Sequence, residues 1–115
     1  MVTIGSIVIH CFEFDAMIAF WQKALGYALR EPPSADWAVL IDPARSGPNL
    51  SFQKRDAKRA RRNWIHLDLY TERQIDEVTR LIKLGAKQYP WVYPKNADYI
   101  VLEDPDGNLF CVVQK

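Results

Sequence analysis

The chain lacks three features that would place it in a specialised class of protein. No run of apolar residues approaches the length that crosses a membrane. The formal net charge is only +1, so overall charge gives no reason to expect a nucleic-acid or membrane partner. Residues 1–6 carry no basic segment and lead into no long apolar one, so they do not resemble a signal peptide.

Cysteine is scarce as well. The chain has two cysteines, Cys11 and Cys111, and their spacing matches neither a disulfide framework nor a C-x-x-C site. We therefore expect reduced thiols in a cytoplasmic protein. With 115 residues, of which 49% are hydrophobic, the chain is long enough to fold without disulfides or a structural metal.

An internal repeat is the most informative feature of the sequence. Residues 37–43 (WAVLIDP) resemble residues 99–105 (YIVLEDP), and in both copies a glycine and a second apolar segment follow. The copies lie about half the chain apart, which predicts two copies of one small module. We expect a single domain in which module one spans about 1–54, a linker about 55–62 and module two about 63–115.

The first module has the signals of strands around one helix. Strands are expected at 4–11, 36–41 and 50–54, with a short extra strand at 27–30. Asp15 is expected to cap the helix and Gly26 to end it. The apolar face of this helix is expected to contain Met17, Phe20, Trp21, Ala24 and Leu25.

The second module repeats this order. Residues 64–70 alternate between apolar and polar side chains, which predicts a strand. Thr71 and Gln74 have the spacing of a capping box. The helix is expected to end at Gly85 and to bury Ile75, Val78, Leu81 and Ile82. The last two strands are expected at 99–103 and 109–114, joined by an Asp-Pro-Asp-Gly-Asn turn.

The segment Lys54 to Arg62 joins the modules and has six basic residues in nine. Clustered positive charge could bind a phosphate or a carboxylate. The segment has no interleaved aromatic residue and no apolar periodicity, which argues against a nucleic-acid groove. We interpret it as a solvated connection.

Four segments, in order, carry a resemblance to a known family. They are residues 20–27 (FWQKALGY), 64–69 (WIHLDL), 84–86 (LGA) and 103–113 (EDPDGNLFCVV). With these segments the chain resembles the vicinal oxygen chelate superfamily of glyoxalase I, bleomycin-resistance proteins and extradiol dioxygenases, and within it the small glyoxalase-like domain proteins. The resemblance implies an α+β fold of two tandem βαβββ modules, whose curved mixed sheets form a cleft, and commonly a homodimer.

The resemblance also implies positions for a divalent metal, held by the first and last strands of each module. These positions fall at or near Ser6, Ser51, His66 and Cys111. Neutral serine hydroxyls are poor ligands for Zn²⁺, Ni²⁺ or Fe²⁺, whose protein sites use imidazole, carboxylate or thiolate groups. One histidine and one cysteine leave the site short of ligands, so we expect no metal and no other cofactor.

Polar and aromatic residues are expected to bind a ligand in the implied cleft. His66 is a candidate general base or hydrogen-bond partner, and Asp68 lies on the same strand face. A purely structural role for this pair is the alternative. Cys111 is expected to be an inert thiol. The expected ligand-binding residues are His10, Gln53, His66, Asp68, Tyr70, Trp91, Tyr93 and Cys111.

Three functions remain open at this point. The favoured hypothesis is a bleomycin-resistance-type protein that binds an aromatic or hydrophobic small molecule without conventional metal-dependent catalysis. The second is an enzyme, either a metal-dependent lyase or dioxygenase, or a metal-free acid-base catalyst that uses His66 and Asp68. The third is a structural or regulatory homodimer without a ligand. Membership of a fold family does not by itself decide among them.

Overall fold

The structure is a computed structural model that describes residues 1, 3–58, 60 and 65–115. The chain divides into two compact units, Met1–Arg59 and Ala60–Lys115. The expected linker at 55–62 falls across the boundary between these units, and residues 59, 61 and 62 lie outside the described residues. The assignment of the chain as a single domain stays a prediction. Neither described helix has the length and hydrophobicity needed to cross a membrane.

The first unit contains one helix and four strands. They are β1 (Ser6–Cys11), α1 (Phe14–Leu25), β2 (Ala28–Leu29), β3 (Trp37–Ile41) and β4 (Asn49–Lys54). The sheet has the order β1-β4-β3-β2, in which β1 runs parallel to β4 and the other neighbours are antiparallel. Each predicted strand of this module is present, with its bounds shifted by two residues at most.

The second unit repeats this topology. It contains β5 (Leu67–Thr71), α2 (Gln74–Leu84), β6 (Lys87–Gln88), β7 (Tyr99–Glu103) and β8 (Leu109–Gln114). The sheet order is β5-β8-β7-β6, with β5 parallel to β8. The predicted strand at 64–70 begins at Leu67; residue 64 lies outside the described residues, and His66 precedes the strand. The α+β class with two tandem βαβββ modules is confirmed.

Helix α1 buries three of the five residues that the spacing predicts, while Ala24 and Leu25 in its last turn are only half-buried. Met17, Phe20 and Trp21 are almost fully buried, and the rings of Phe20 and Trp21 meet edge to face with centroids 5.1 Å apart. Burial of each such side chain stabilises the fold by roughly 1.5–3 kcal/mol relative to exposure. Trp21 is therefore a core residue, in agreement with the sequence interpretation.

Helix α2 buries a narrower face than the sequence predicts. Val78 and Leu81 are buried, but Ile75 is 66% exposed and Ile82 is 41% exposed. At about 100° per residue, the buried stripe is centred between Val78 and Leu81, and both isoleucines lie on the same flank of it. The prediction that Ile75 and Ile82 belong to the core is wrong.

The helix starts also differ from the prediction. Asp15 does not cap α1, because the helix begins at Phe14 and Asp15 lies in its first turn. There its negative charge is next to the positive end of the helix dipole. At the other ends, Gly26 and Gly85 adopt positive φ angles of 68° and 123° and end the helices as predicted.

The start of α2 is held by strand β8 and not by a capping box. The side-chain oxygen of Gln114 accepts a hydrogen bond from the backbone N–H of Gln74 at 3.0 Å. The side-chain amide of Gln74 in turn donates to the backbone carbonyls of Asp98 and Val112. The hydroxyl of Thr71 accepts from the backbone N–H of Arg73, and no side chain among the described residues caps the first residue of α2 in the manner of a capping box. The predicted box is wrong because both glutamines tie the helix start to the sheet.

One aspartate organises the turn that follows β3. The carboxylate of Asp42 accepts hydrogen bonds from the backbone N–H groups of Ala44, Ser46 and Gly47 and from the hydroxyl of Ser46. These bonds, that of Ala44 most, hold the pKa of Asp42 below its usual value. The carboxylate thus accepts hydrogen bonds from backbone N–H groups that have no partner in a strand.

Asp104 has the same role in the turn that follows β7. It accepts from the backbone N–H of Asp106 and from both the backbone and the side-chain amide of Asn108, at 2.9 to 3.1 Å. It is only 3% exposed. The sequence repeat at Asp42 and Asp104 therefore repeats one arrangement, in which an aspartate side chain accepts hydrogen bonds from the turn that follows it.

We expect Asp104→Ala to lower the free energy of unfolding by about 1–3 kcal/mol, because it leaves buried N–H donors without an acceptor. Urea denaturation followed by circular dichroism measures this loss. Asp42→Ala is the matched variant, and it should cost less because the donors around Asp42 can reach water. Equal losses would contradict the proposed difference between the two turns.

Candidate functional site

Alternation along the strands gives the sheet of the second unit two different faces. Strand register places Asp68 opposite Cys111 and Tyr70 opposite Val113, all on one face. Val101 lies beside Cys111 on that same face. Phe110 and Val112, which alternate with Cys111 and Val113 along β8, point to the other face and are fully buried.

A cavity of about 440 Å³ lies on the face that carries Asp68 and Cys111. Much of its wall is apolar and comes from the loop before β7 and from strands β7 and β8. These wall residues are Trp91, Tyr99, Val101, Leu109 and Val113. The volume is typical of a site for a small organic molecule, which needs roughly 300–1,000 Å³.

The polar part of the lining is concentrated in a polar cluster of His66, Asp68 and Cys111. The imidazole Nε2 of His66 lies 3.1 Å from Oδ1 of Asp68. The thiol of Cys111 donates a hydrogen bond to the same carboxylate. Asp68 and Cys111 meet because β5 and β8 pair in parallel. The His66 and Asp68 side chains are 55% and 47% exposed, so a ligand can reach them.

Cys111 is held in its protonated form. Burial raises the pKa of its thiol, and the negative charge of Asp68 and its hydrogen bond raise the pKa further. A thiol with a raised pKa is a weak nucleophile at neutral pH, since the thiolate is the reactive form. The cluster therefore offers hydrogen bonds and a carboxylate charge, and it does not offer an activated cysteine nucleophile.

The aromatic segment 90–94 is fastened to strand β7. The hydroxyl of Tyr93 accepts a hydrogen bond from the backbone N–H of Val101 at 2.9 Å, and its ring lies 5.5 Å from that of Tyr99. The indole N–H of Trp91 donates to the hydroxyl of Tyr99 at 3.3 Å. Tyr93 thus positions the segment, and Trp91 is the residue of this segment that lines the cavity.

Charged groups of both signs also line the cavity. The ammonium group of Lys115 lies 4.2 Å from the centre of the Tyr70 ring, a cation–π contact. Asp98 adds a carboxylate. Sequence reasoning missed six lining residues: Asp98, Tyr99, Val101, Leu109, Val113 and Lys115. For four of them there was a signal, since alternation along β7 and β8 places Tyr99, Val101, Leu109 and Val113 on the face of Cys111.

The structure gathers five of the eight expected ligand-binding residues in this cavity: His66, Asp68, Tyr70, Trp91 and Cys111. Tyr93 supports the cavity without lining it. The other two expected residues, His10 and Gln53, are neighbours in the register of the first unit. Gln53 donates to the carbonyl of Asp36, and His10 lines a cavity of about 280 Å³ in that unit.

The implied metal positions of the first unit do not fit a metal. The hydroxyl oxygens of Ser6 and Ser51 lie 2.7 Å apart and share a hydrogen bond, and Ser51 is only 1% exposed. Two neutral hydroxyls that satisfy each other are unsuited to a divalent transition metal. No metal chemistry that uses these positions follows from the structure.

The geometry can be compared with known proteins. A family model described as a glyoxalase-like domain matches residues 6–113. A glyoxalase/bleomycin resistance protein/dioxygenase family enzyme from Burkholderia phytofirmans PsJN is 19% identical, with a TM-score of 0.77 and 98% of each chain covered. Comparison with curated proteins gives no significant match.

Two further solved structures have the same fold. The fosfomycin resistance protein FosX from Listeria monocytogenes is 17% identical with a TM-score of 0.76, and the match covers 100% of this chain and 92% of that one. A bleomycin-binding protein complexed with bleomycin is 20% identical with a TM-score of 0.60, covering 100% and 99%. At these identities the likeness establishes the fold and no shared activity.

The contact between Asp68 and Cys111 predicts a change in thiol reactivity. Asp68→Asn should make alkylation of Cys111 by iodoacetamide several-fold faster at neutral pH, because it removes the charge that raises the thiol pKa. Peptide mass spectrometry of chelator-treated protein follows the rate. Cys11, which is 2% exposed, is the internal control. An unchanged or slower rate at Cys111 argues against the contact.

Proposed function

This chain belongs to the glyoxalase-like domain family, and on that basis we propose that it binds a small molecule with an aromatic or hydrophobic part in the cavity of its second unit. One observation carries the proposal: an apolar cavity of about 440 Å³ that also contains the polar cluster. Apolar walls with a few well-placed polar groups are typical of small-molecule sites.

The neighbouring structures support this class of function. One of them is a bleomycin-binding protein in complex with bleomycin, and another is a fosfomycin resistance protein. Bleomycin and fosfomycin are both organic ligands far smaller than a protein. The proposal takes from them the class of ligand and not its identity.

The lining residues suggest how a ligand is held. Trp91 is 44% exposed, and its ring supplies a flat apolar surface for an aromatic group. His66 and Asp68 supply a donor and an acceptor that fix the orientation of a polar group. Lys115 and Asp98 add one charge of each sign. None of these contacts requires the metal arrangement that the resemblance implies.

A second candidate is a metal-free acid-base enzyme at the same site. The observation that favours it is the 3.1 Å contact between His66 and Asp68, because a carboxylate can orient an imidazole that moves a proton. Loss of turnover in His66→Gln with ligand binding retained supports this candidate. If wild-type protein leaves every bound ligand unchanged, the protein is a binder.

We propose further that the protein is a homodimer in the cytoplasm. Ile75 and Ile82 are 66% and 41% exposed on one flank of α2, and Ile65 is 80% exposed in the same unit. Large apolar side chains such as these lose their contact with water when a second subunit covers them. Light scattering coupled to size-exclusion chromatography gives the mass, and a monomer at micromolar concentration contradicts the proposal.

Trp91→Ala tests the cavity. We expect saturable binding of anilinonaphthalene sulfonate to the wild-type protein and a roughly fivefold weaker affinity in the variant, since an aromatic contact contributes about 1 kcal/mol. Fluorescence titration measures both. Val92→Ala is the matched control: it lies next to Trp91, is 94% exposed and does not line the cavity. Equal effects of the two variants would falsify the assignment of Trp91.

His66→Ala separates a binding role from a structural one. Because the His66 side chain is 55% exposed, we expect the melting temperature to change by no more than about 2 °C, which corresponds to the roughly 0.5 kcal/mol usual for surface substitutions in a chain of this length. The affinity for the same probe should change. A large drop in melting temperature means that His66 is structural and that its assignment as a ligand contact is wrong.

A further inference from the structure

The polar cluster brings three different metal-binding groups together within one unit. One ligand atom each from His66, Asp68 and Cys111 lies within 4.8 Å of the other two. Parallel pairing of β5 with β8 sets Asp68 beside Cys111, and His66 lies two residues before Asp68 on the same face. The sheet therefore builds the cluster without any group from the first unit.

This cluster differs from the four metal positions that the family resemblance implies, for which we expected no metal. That expectation counted His66 and Cys111 in this unit and two serines in the other. It treated Asp68 only as a partner of His66. The carboxylate of Asp68, which contacts His66 and accepts from Cys111, raises the number of suitable donors in the second unit to three.

We propose that His66, Asp68 and Cys111 together bind one thiophilic divalent cation of the Zn²⁺ or Co²⁺ type within the second unit. Imidazole, carboxylate and thiolate are the three protein donors that Zn²⁺ uses. The thiolate makes Zn²⁺ and Co²⁺ better suited than Mg²⁺ or Mn²⁺, which prefer oxygen donors.

Metal binding replaces the thiol proton of Cys111 with the cation. The S–H bond of Cys111 breaks and its proton passes to solvent, while a bond forms between Sγ and the cation. The Asp68 carboxylate loses the thiol hydrogen bond and gains the cation. Three protein donors leave one position of a tetrahedral ion for water or for an atom of a molecule in the cavity.

The proposal stands independently of the proposed small-molecule function, since the metal alone is the probe. Chelator-treated protein is titrated with Co²⁺ in the absence of oxygen. We expect a near-ultraviolet band from charge transfer between thiolate and Co²⁺, saturating at one ion per chain and abolished by added Zn²⁺. The melting temperature should rise with Zn²⁺, because a ligand that binds only the folded state stabilises it.

Variants assign the ligands. Cys111→Ser should remove the charge-transfer band. His66→Ala and Asp68→Asn should each weaken Co²⁺ binding by more than about 100-fold, because losing a group that only supports a metal ligand costs about 10- to 100-fold. Asp98→Asn is the matched control. It also removes a carboxylate that lines the cavity, but it lies outside the cluster, and it should leave the band intact.

Three outcomes would overturn the proposal: no charge-transfer band in the wild type, a band that survives Cys111→Ser, or equal losses in Asp68→Asn and Asp98→Asn. Circular dichroism checks that each variant is folded. If Cys111→Ser does not fold, wild-type protein alkylated at Cys111 takes its place and must likewise lose the band. Weak Zn²⁺ binding with no thiolate band means that the cluster is only a hydrogen-bonded polar group.

Discussion

The parallel pairing of the first and last strands of each unit is the constraint on which the rest of the structure depends. In the second unit it joins β5 to β8 with Asp68 opposite Cys111 and Tyr70 opposite Val113. A shift of one residue would turn each of these side chains to the opposite face of the sheet. The cavity, the polar cluster and the helix-covered core therefore all depend on this single register.

The repeat made most of the fold predictable. Matching segments at 37–43 and 99–105, with glycines at 26 and 85 after each helical pattern, predicted the element order and the helix ends. Helix starts were less predictable, because the start of α2 is held by Gln114 from a strand forty residues away. Short-range capping rules do not include such partners.

The site was predictable only where local alternation decided it. His66 and Asp68 lie two residues apart, so the sequence placed them on one face, and the structure gives their contact. The meeting of Asp68 with Cys111 depends on strand register between residues far apart in sequence. For Ile75 and Ile82 the sequence predicted burial, but both are exposed. Helical spacing alone does not reveal how wide a face of the helix the sheet covers.

Parallel pairing also has a consequence for folding. Ser6 pairs with Asn49, and Leu67 pairs with Phe110, so each sheet joins the two ends of its own unit. Such non-local contacts slow folding, because the chain must close a long loop before the pairing stabilises it. During synthesis α1 leaves the ribosome before the strands against which it packs, β3 and β4, have been made. Each unit must therefore await its last strand, and the ribosome sets the order in which the two units fold.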